Sequence, residues 1–216
     1  VDVREGPYRR AQKAVEAAGL TDRIDVRLGD GLSVIAPGEV HTVVMAGMGG
    51  GIMRELLTAE PEKTRSFERL VLQPNMASHL IRSTLFVQQW KLIAEQLVWD
   101  DGHLYEILAY EQGTDDAYEA AVEKLGGESG LAFLKDDWFL LFLLGPQLLR
   151  KAWEGQDEAE RRLLFRRMDQ AAEKRRRILA GLKQARRPAE REKIGPLTKQ
   201  LAQLEVLAKC LRTGKP

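Results

Sequence analysis

Four short runs in this chain put reactive or permissive residue types where the backbone turns. In Val1-Asp2-Val3 an acid stands at the end of a strand-like run, just before a helix-like one. A carboxylate so placed, with Val3 beside it, can accept hydrogen bonds from both hydroxyls of a nucleotide ribose. The same acid can instead cap the helix that follows. In Gly29-Asp30-Gly31 the carboxylate of Asp30 can accept a hydrogen bond from an adenine amino group, while the two glycines let a ring approach the backbone. A plain tight turn uses the same tripeptide. Ala46-Gly47-Met48-Gly49-Gly50-Gly51 joins a strand-like run to a helix-like one, and glycines at a strand's carboxyl end open the crevice where parallel α/β sheets bind ligands. Its spacing is not GxGxxG, the dinucleotide signature. Gln73-Pro74-Asn75 carries two amides able to read the hydrogen-bonding edge of a base, or forms only a proline turn.

The elements around these runs give the arrangement its logic. Arg9 to Ala18 is Ala-rich and ends before Gly19, so it reads as a helix with a glycine stop. Ile24–Leu28 and Thr42–Ala46 read as strands, Ile52–Leu57 as a helix, Leu70–Gln73 as a strand closed by Pro74, and Ala77–Val87 as a helix. Lys91–Trp99 and His103–Tyr110 flank Asp100-Asp101-Gly102, a hairpin signal. Strands alternating with helices predict an α/β fold, a mainly parallel sheet with an antiparallel edge hairpin. All four runs then fall at carboxyl ends of strands, on one rim. An acid for ribose, an acid for adenine, an open glycine loop and an amide pair there make a coherent nucleoside site.

The C-terminal part is different. Ile194, Leu197, Leu201, Leu204, Ala208 and Leu211 follow an a/d seam, as do Leu164, Met168, Ala171, Arg175, Ile178 and Leu182. Arg187-Pro188 interrupts the pattern between them, predicting an antiparallel helical coiled-coil hairpin. We therefore expect an α/β domain over 1–112, a connecting segment over 113–145 and a basic helical hairpin over 146–216. Charge follows that division: residues 1–149 hold 14 Lys and Arg against 23 Asp and Glu, residues 150–216 hold 19 against 9. The excess is either a solvated coiled-coil surface or a rail for a polyanion. On the second reading Lys174, Arg176, Arg177, Arg186 and Arg187 meet phosphates, whereas Arg175 falls on the seam.

The remaining composition narrows the class. One cysteine, Cys210, in 216 residues excludes an intrachain disulfide framework and suits a reducing cytoplasm. The longest apolar run, Trp138 to Gly145, is too short to span a bilayer. We expect a cytoplasmic protein with no membrane segment and no metal. The oligomeric state has no signature here.

Taken together, Asp-x-x-Glu-Gly-Pro-Tyr at 2–8, Gly-Asp-Gly-Leu at 29–32, Ala-Gly-Met-Gly-Gly at 46–50, Leu-x-Leu-Gln-Pro-Asn at 70–75, Arg82, Tyr105-Glu106-Ile107 and Gly145-Pro146 resemble the successive signatures of the bacterial tRNA (adenine(22)-N1)-methyltransferase (TrmK) family. The resemblance runs nearly the whole chain. It implies a class I (Rossmann-like) methyltransferase domain, S-adenosylmethionine as cofactor, tRNA as partner, and methylation at N1 of an adenine in the D-arm. It also implies roles: Asp2 for the ribose, Asp30 for the cofactor adenine, with Val3, Gly29, Gly31, Ala46 and Gly47 around the cofactor. Met48, Gly49, Gln73, Pro74 and Asn75 would border or orient the target base. The family's first signature, an Asp-x-Gly-x-Asp-His loop holding the methionine half of the cofactor, would precede Val1. We therefore read the chain as N-terminally truncated and expect it to turn over poorly as it stands. Two rivals are a non-catalytic tRNA-binding relative, which the basic hairpin would also serve, and a nicotinamide-dependent oxidoreductase, against which the glycine spacing argues.

Overall fold

The structure, a computed structural model, describes residues 1–114, 116–127, 130–184 and 187–213. Strands β1 (Thr42–Met48), β2 (Arg69–Pro74), β3 (Trp90–Asp100) and β4 (His103–Gln112) form one sheet in the order β1-β2-β4-β3. Helix α1 (Glu5–Ala17) precedes the sheet, and α2 (Gly50–Ala59) and α3 (Pro61–Arg65) cross from β1 to its parallel neighbour β2. Helix α4 (Ser78–Val87) leads into the β3–β4 hairpin, which is antiparallel and pairs with β2 through β4. The hairpin turn puts Asp101 and Gly102 at φ 42° and 77°. Two successive left-handed residues are what a two-residue loop needs to match strand twist. The fold is thus the expected one, parallel inside with an antiparallel edge.

Period-two burial packs this sheet. Leu70 and Leu72 of β2 have no exposed surface, and they meet Met53 and Leu57 of α2 and Ile81 and Leu85 of α4, equally buried. Each such side chain contributes about 1.5–3 kcal/mol through removal from water.

The N-terminal residues behave less regularly. Helix α1 ends with Gly19 at φ 65°, the left-handed stop that its sequence predicts. The expected strand Ile24–Leu28 is reduced to one isolated parallel bridge between Asp2 and Leu28, outside the four-stranded sheet. A single bridge has no flanking ladder to cover its side chains, and Ile24 and Leu28 stay exposed. Among the described residues no strand pairs with the outer edge of β1, where Val44 is 68% exposed.

Beyond β4 the chain is helical: α5 (Ala117–Leu125), a 3-10 turn at Ala132–Lys135, α6 (Phe139–Leu144), α7 (Pro146–Glu154), α8 (Glu158–Lys183), α9 (Pro188–Arg191) and α10 (Ile194–Thr213). Tyr118, Leu125, Leu141, Leu149, Leu164 and Leu211 share one core, so residues 113–145 supply part of the packing that supports the hairpin. Helices α8 and α10 run antiparallel, as Arg161 to Leu211 O (2.7 Å), Asp169 to Arg212 (2.7 Å) and Arg176 to Glu205 (2.5 Å) show. The seam holds at Leu164, Met168, Ala171, Leu204, Ala208 and Leu211, all buried. At Ile178 it slips: that residue is 43% exposed and Leu179 takes the inner position. A straight helix of 3.6 residues per turn drifts away from a strict heptad in this direction.

An ion-pair hub locks the helical layer to the sheet. Arg82 of α4, with no exposed surface, donates to Glu95 of β3 (Nε–Oε1 2.6 Å), to Glu106 of β4 (Nη2–Oε2 3.0 Å) and to the Phe142 carbonyl of α6 (3.0 Å). Glu95 in turn accepts the backbone N–H of Gln147 at the start of α7 (2.9 Å), where the helix dipole favours an anion. Gly145 packs so tightly there that a Cβ would lie 2.6 Å from Glu95 Oε1. Glu106 reaches α8 through Arg167 (Oε1–Nε 2.8 Å). Burial opposes charge on Arg82, but the two carboxylates outweigh it and hold its pKa above the ordinary value. Burial likewise pushes the Glu106 carboxyl up, and Arg82 and Arg167 together bring it below the usual range.

Candidate active site

The glycine loop and the amide pair form one unit. Gly47, at φ 79°, presents its N–H to Gln73 Oε1 (2.9 Å) and its carbonyl to Asn75 Nδ2 (2.7 Å). Gln73 Nε2 donates to Asn75 Oδ1 (3.1 Å), closing a ring of three side-chain hydrogen bonds on a single backbone residue. The backbone adds Asn75 N to Met48 O (2.9 Å) and Gly50 N to Met76 O (2.8 Å). A Cβ on Gly50 would lie 2.4 Å from the Ala77 carbonyl, so only glycine lets the 46–50 and 73–77 loops close up. Helix α2 starts at Gly50 with Gly49 as its cap, and Ala77 adopts φ 57° to launch α4. Each amide therefore fixes the other loop and keeps one more N–H for a ligand.

The acids belong to a second unit. The Asp2 backbone bonds to Arg27 O (3.1 Å) and to Gly29 N (2.9 Å), which ties the first run to the second. Asp2 Oδ1 also accepts Arg4 N (2.8 Å), a local turn ahead of α1, whose cap position is Arg4 and has no side-chain cap bond. The turn at Gly29–Gly31 is real: Gly31 stands at φ 53° over Leu56 of α2, where a Cβ would meet Leu56 Cδ2 at 2.5 Å. Its tightness leaves Asp30 exposed, with no side-chain partner among the described residues. No hydrogen bond links Asp2 or Asp30 to the Gly47 ring. The link is mechanical, through α2, which carries the turn on Leu56 and the glycine loop at its start. Val3 is 62% exposed and Ala46 is exposed beside Gln73.

On the other side of the 73–77 loop lies a cleft of about 530 Å³ between the sheet rim and α8. Its rim wall carries Pro74, Asn75 and His79, its floor Glu106 and Phe139, its α8 wall Arg167, Lys174, Arg175 and Arg177. The amide ring and the basic hairpin, separate readings from sequence, thus meet in one space. Of the expected phosphate-binding residues, Lys174 and Arg177 line the cleft. Arg176 points to α10 and pairs with Glu205, Arg187 is exposed at the start of α9, and Arg186 lies outside the described residues.

Four residues of the cleft carried no functional expectation: His79, Phe139, Arg167 and Arg175. Burial, then the charges of Arg167 and Arg175, lower the His79 pKa and favour the neutral ring. Its edge meets the Phe139 ring at 6.5 Å. Arg167, Ala171, Lys174 and Ile178 recur at helical spacing along α8, a stripe that the charge run at 174–177 and the seam each cut across. His79 sits in the first turn of α4, just past the amide pair, where only the fold reveals what it faces.

Among the described residues no group of His, Cys, Asp and Glu could hold a metal ion, and no helix is long and apolar enough to cross a membrane. Comparison with known proteins bears on the same surfaces. A family profile described as a methyltransferase domain matches residues 1–108. The tRNA (adenine(22)-N(1))-methyltransferase of Bacillus subtilis (strain 168) is 34% identical over 172 residues, which are 80% of this chain and 69% of that protein. The crystal structure of the B. subtilis M1A22 tRNA methyltransferase TrmK superposes with a TM-score of 0.74 at 29% identity, covering 95% of this chain and 79% of the other. Sp1610 of Streptococcus pneumoniae, solved in complex with S-adenosyl-L-methionine, superposes at 0.68 with 27% identity over 95% of this chain and 78% of its own. With its methyltransferase sheet, its knitted glycine and amide loops and its basic helical hairpin, the chain belongs to the tRNA (adenine(22)-N(1))-methyltransferase family.

Proposed function

We propose that this protein transfers the methyl group of S-adenosylmethionine to N1 of adenine 22 in the D-arm of tRNA. One observation carries the reading. The loop pair 46–50 and 73–77 is tied together at Gly47, whose backbone stands open, and its Pro74-Asn75 end lines a cleft walled by Arg167, Lys174, Arg175 and Arg177. A nucleoside cofactor and a polyanionic substrate need those two environments.

The residues present fit the cofactor. Asp30 is exposed without a side-chain partner among the described residues, and Asp2 uses one oxygen on Arg4, so carboxylate acceptors remain for an amino group and a ribose. Nothing lies within 4 Å of a Cβ placed on Gly47, so the loop presents bare backbone. Val3, Gly29, Gly31 and Ala46 complete that side. The cofactor, when bound, supplies an electrophilic methyl group on sulfur.

On the substrate side the chain supplies position. N1 of neutral adenine already carries a lone pair, so no strong base is required, and orientation does most of the work. Because N1 lies on the pairing edge, the base has to be unpaired or flipped out. Met48, Gly49 and Pro74 shape the place where it lodges. The spare N–H groups of Gln73 and Asn75 hold its edge, and the second lone pair of Asn75 Oδ1 accepts an amino proton as the ring gains positive charge. Lys174 and Arg177 hold the RNA backbone, with Arg176, Arg186 and Arg187 farther along the hairpin. Residues 1–112 form the catalytic unit, 146–216 the RNA grip, and 113–145 join them. The cytoplasm, where tRNA is found, is its place of action.

The test is methyl transfer to a tRNA transcript with adenine at position 22 and to one with guanine there. The chain is extended ahead of Val1 by an Asp-x-Gly-x-Asp-His loop. Label incorporated as 1-methyladenosine in the first transcript alone is the expected result. Equal labelling of both, or none, overturns the reading.

A further inference from the structure

Arg175 is the residue whose sequence position and structural position disagree most. The heptad pattern places it on the hairpin seam, as a tolerated polar member facing α10. In the structure it lines the cleft behind the amide ring while only 7% of its surface is exposed. Its Nη1 donates to the Ala171 carbonyl of its own helix (3.0 Å), a carbonyl already engaged in the helix ladder. Its Nε is buried and has no hydrogen-bond partner among the described residues. No carboxylate of the described residues pairs with it. The one acid on the cleft lining, Glu106, is already held by Arg82 and Arg167. The guanidinium carbon lies 5.1 Å from the centroid of the Phe139 ring, a contact that does not neutralise the charge.

A desolvated cation without an anion is unfavourable in a folded chain unless something arrives to meet it. Burial and the nearby Arg167 both lower the pKa of Arg175, so the free protein carries the strain of that charge. Lys174 and Arg177 stand on the same wall, so an anion entering there meets three cations from one helix. A guanidinium is a planar fork of N–H donors, the geometry that suits a phosphate.

We propose that Arg175, with Lys174 and Arg177, forms a built phosphate subsite that seats an RNA backbone phosphate flanking the target nucleotide, so that the nucleotide enters beside Asn75 in a fixed register. This rests on the tRNA reading above and narrows it: Arg175 is a positioning residue, acting on the phosphate and not on the reacting atoms.

The experiment measures binding of a tRNA transcript to this chain across a salt series, for the wild type, Arg175→Met and the control Arg162→Met. Arg162 is well exposed and does not line the cleft. One phosphate contact accounts for a slope of about 0.9 in log affinity against log salt. Arg175→Met is expected to flatten the slope by about that amount and to weaken binding at least about tenfold at low salt, while its melting temperature stays level or rises. Arg162→Met should change the slope much less. If the two variants behave alike, the subsite is wrong and the tRNA reading stands. If the wild type does not bind tRNA at any salt, both fall. The Arg175 Nε–H nuclear magnetic resonance signal in the wild type supplies a second readout that requires no variant to fold. It should shift saturably as inorganic phosphate replaces chloride at constant ionic strength, and a signal that does not move overturns the subsite.

Discussion

Arg82 and Arg167 grip the same carboxylate from opposite sides, Arg82 Nη2 on Glu106 Oε2 at 3.0 Å and Arg167 Nε on Glu106 Oε1 at 2.8 Å. One arginine belongs to the core of the sheet domain and the other to the wall of the cleft. Glu106 is therefore the joint through which the hairpin's binding face is held in register with the strands.

Removing the inner arginine should show what that joint is worth. Arg82→Met leaves Glu95 and Glu106 buried together without their shared cation. Breaking a buried pair in this way costs about 3–5 kcal/mol. Urea unfolding at pH 7 is the measurement, and the deficit should shrink as pH is lowered and the two carboxyls become able to take up protons.

The pH dependence of the wild type has a definite sign. Glu106 titrates below the ordinary 4.5 when folded, so the unfolded chain takes up its proton first as pH falls. Its contribution is complete above the unfolded pKa and is lost as pH drops through the lower, folded value. Thermal melts in acid should show this limb in the wild type and a flatter one in Glu106→Gln, which begins less stable at pH 7.

Two adjacent glycines make a matched pair. Helix propensity alone would favour alanine at either by up to about 1 kcal/mol. A Cβ at Gly50 would strike the Ala77 backbone at 2.4 Å, whereas at Gly51 it meets nothing within 4 Å. Gly50→Ala should lower stability by about 1–3 kcal/mol as the two loops are forced apart, and Gly51→Ala should be neutral or slightly stabilising. Differential scanning calorimetry of both variants decides the matter.

Asp2 and Asp30 should report on the cofactor alone. Losing a hydrogen bond to a charged group costs roughly 1.5–3 kcal/mol. Calorimetric titration with S-adenosylmethionine should show each alanine variant about tenfold weaker or more, with tRNA affinity unchanged. Unchanged cofactor affinity in both would remove these acids from the site.

Asn75→Ala should separate catalysis from binding. It opens the ring on Gly47 and removes the acceptor beside the cleft. In the active protein kcat should fall by about ten- to a hundredfold, at about 1.4 kcal/mol per tenfold, with cofactor affinity nearly intact. A change confined to KM would mean that Asn75 only binds.

Much of this is legible in the sequence. The hairpin turn at Asp101-Gly102, the glycine stop after α1 and the crossover between β1 and β2 are local consequences of residue type, and all appear as expected. The amide pair was legible as two hydrogen-bonding side chains, but not its closure on Gly47, which joins positions 26 and 28 residues apart. Arg175 was misplaced for a related reason. A heptad tells which face of a helix is turned inward, not whether the neighbour on that face is another helix or the mouth of a cleft. The strand expected at Ile24–Leu28 failed because alternation marks a segment fit to pair and cannot supply the partner.

The outer edge of β1 carries a different kind of consequence. Thr42–Met48 contains no charge and no proline, its Val44 lies bare, and no described strand covers its free backbone groups. Proteins ordinarily blunt such an edge with a lysine, a bulge or a covering loop. With a net charge of only +1, long-range repulsion between copies is weak. Light scattering by this chain across a concentration series should therefore rise as copies add strand to strand at Thr42–Met48, and Val44→Lys should keep the solution clear.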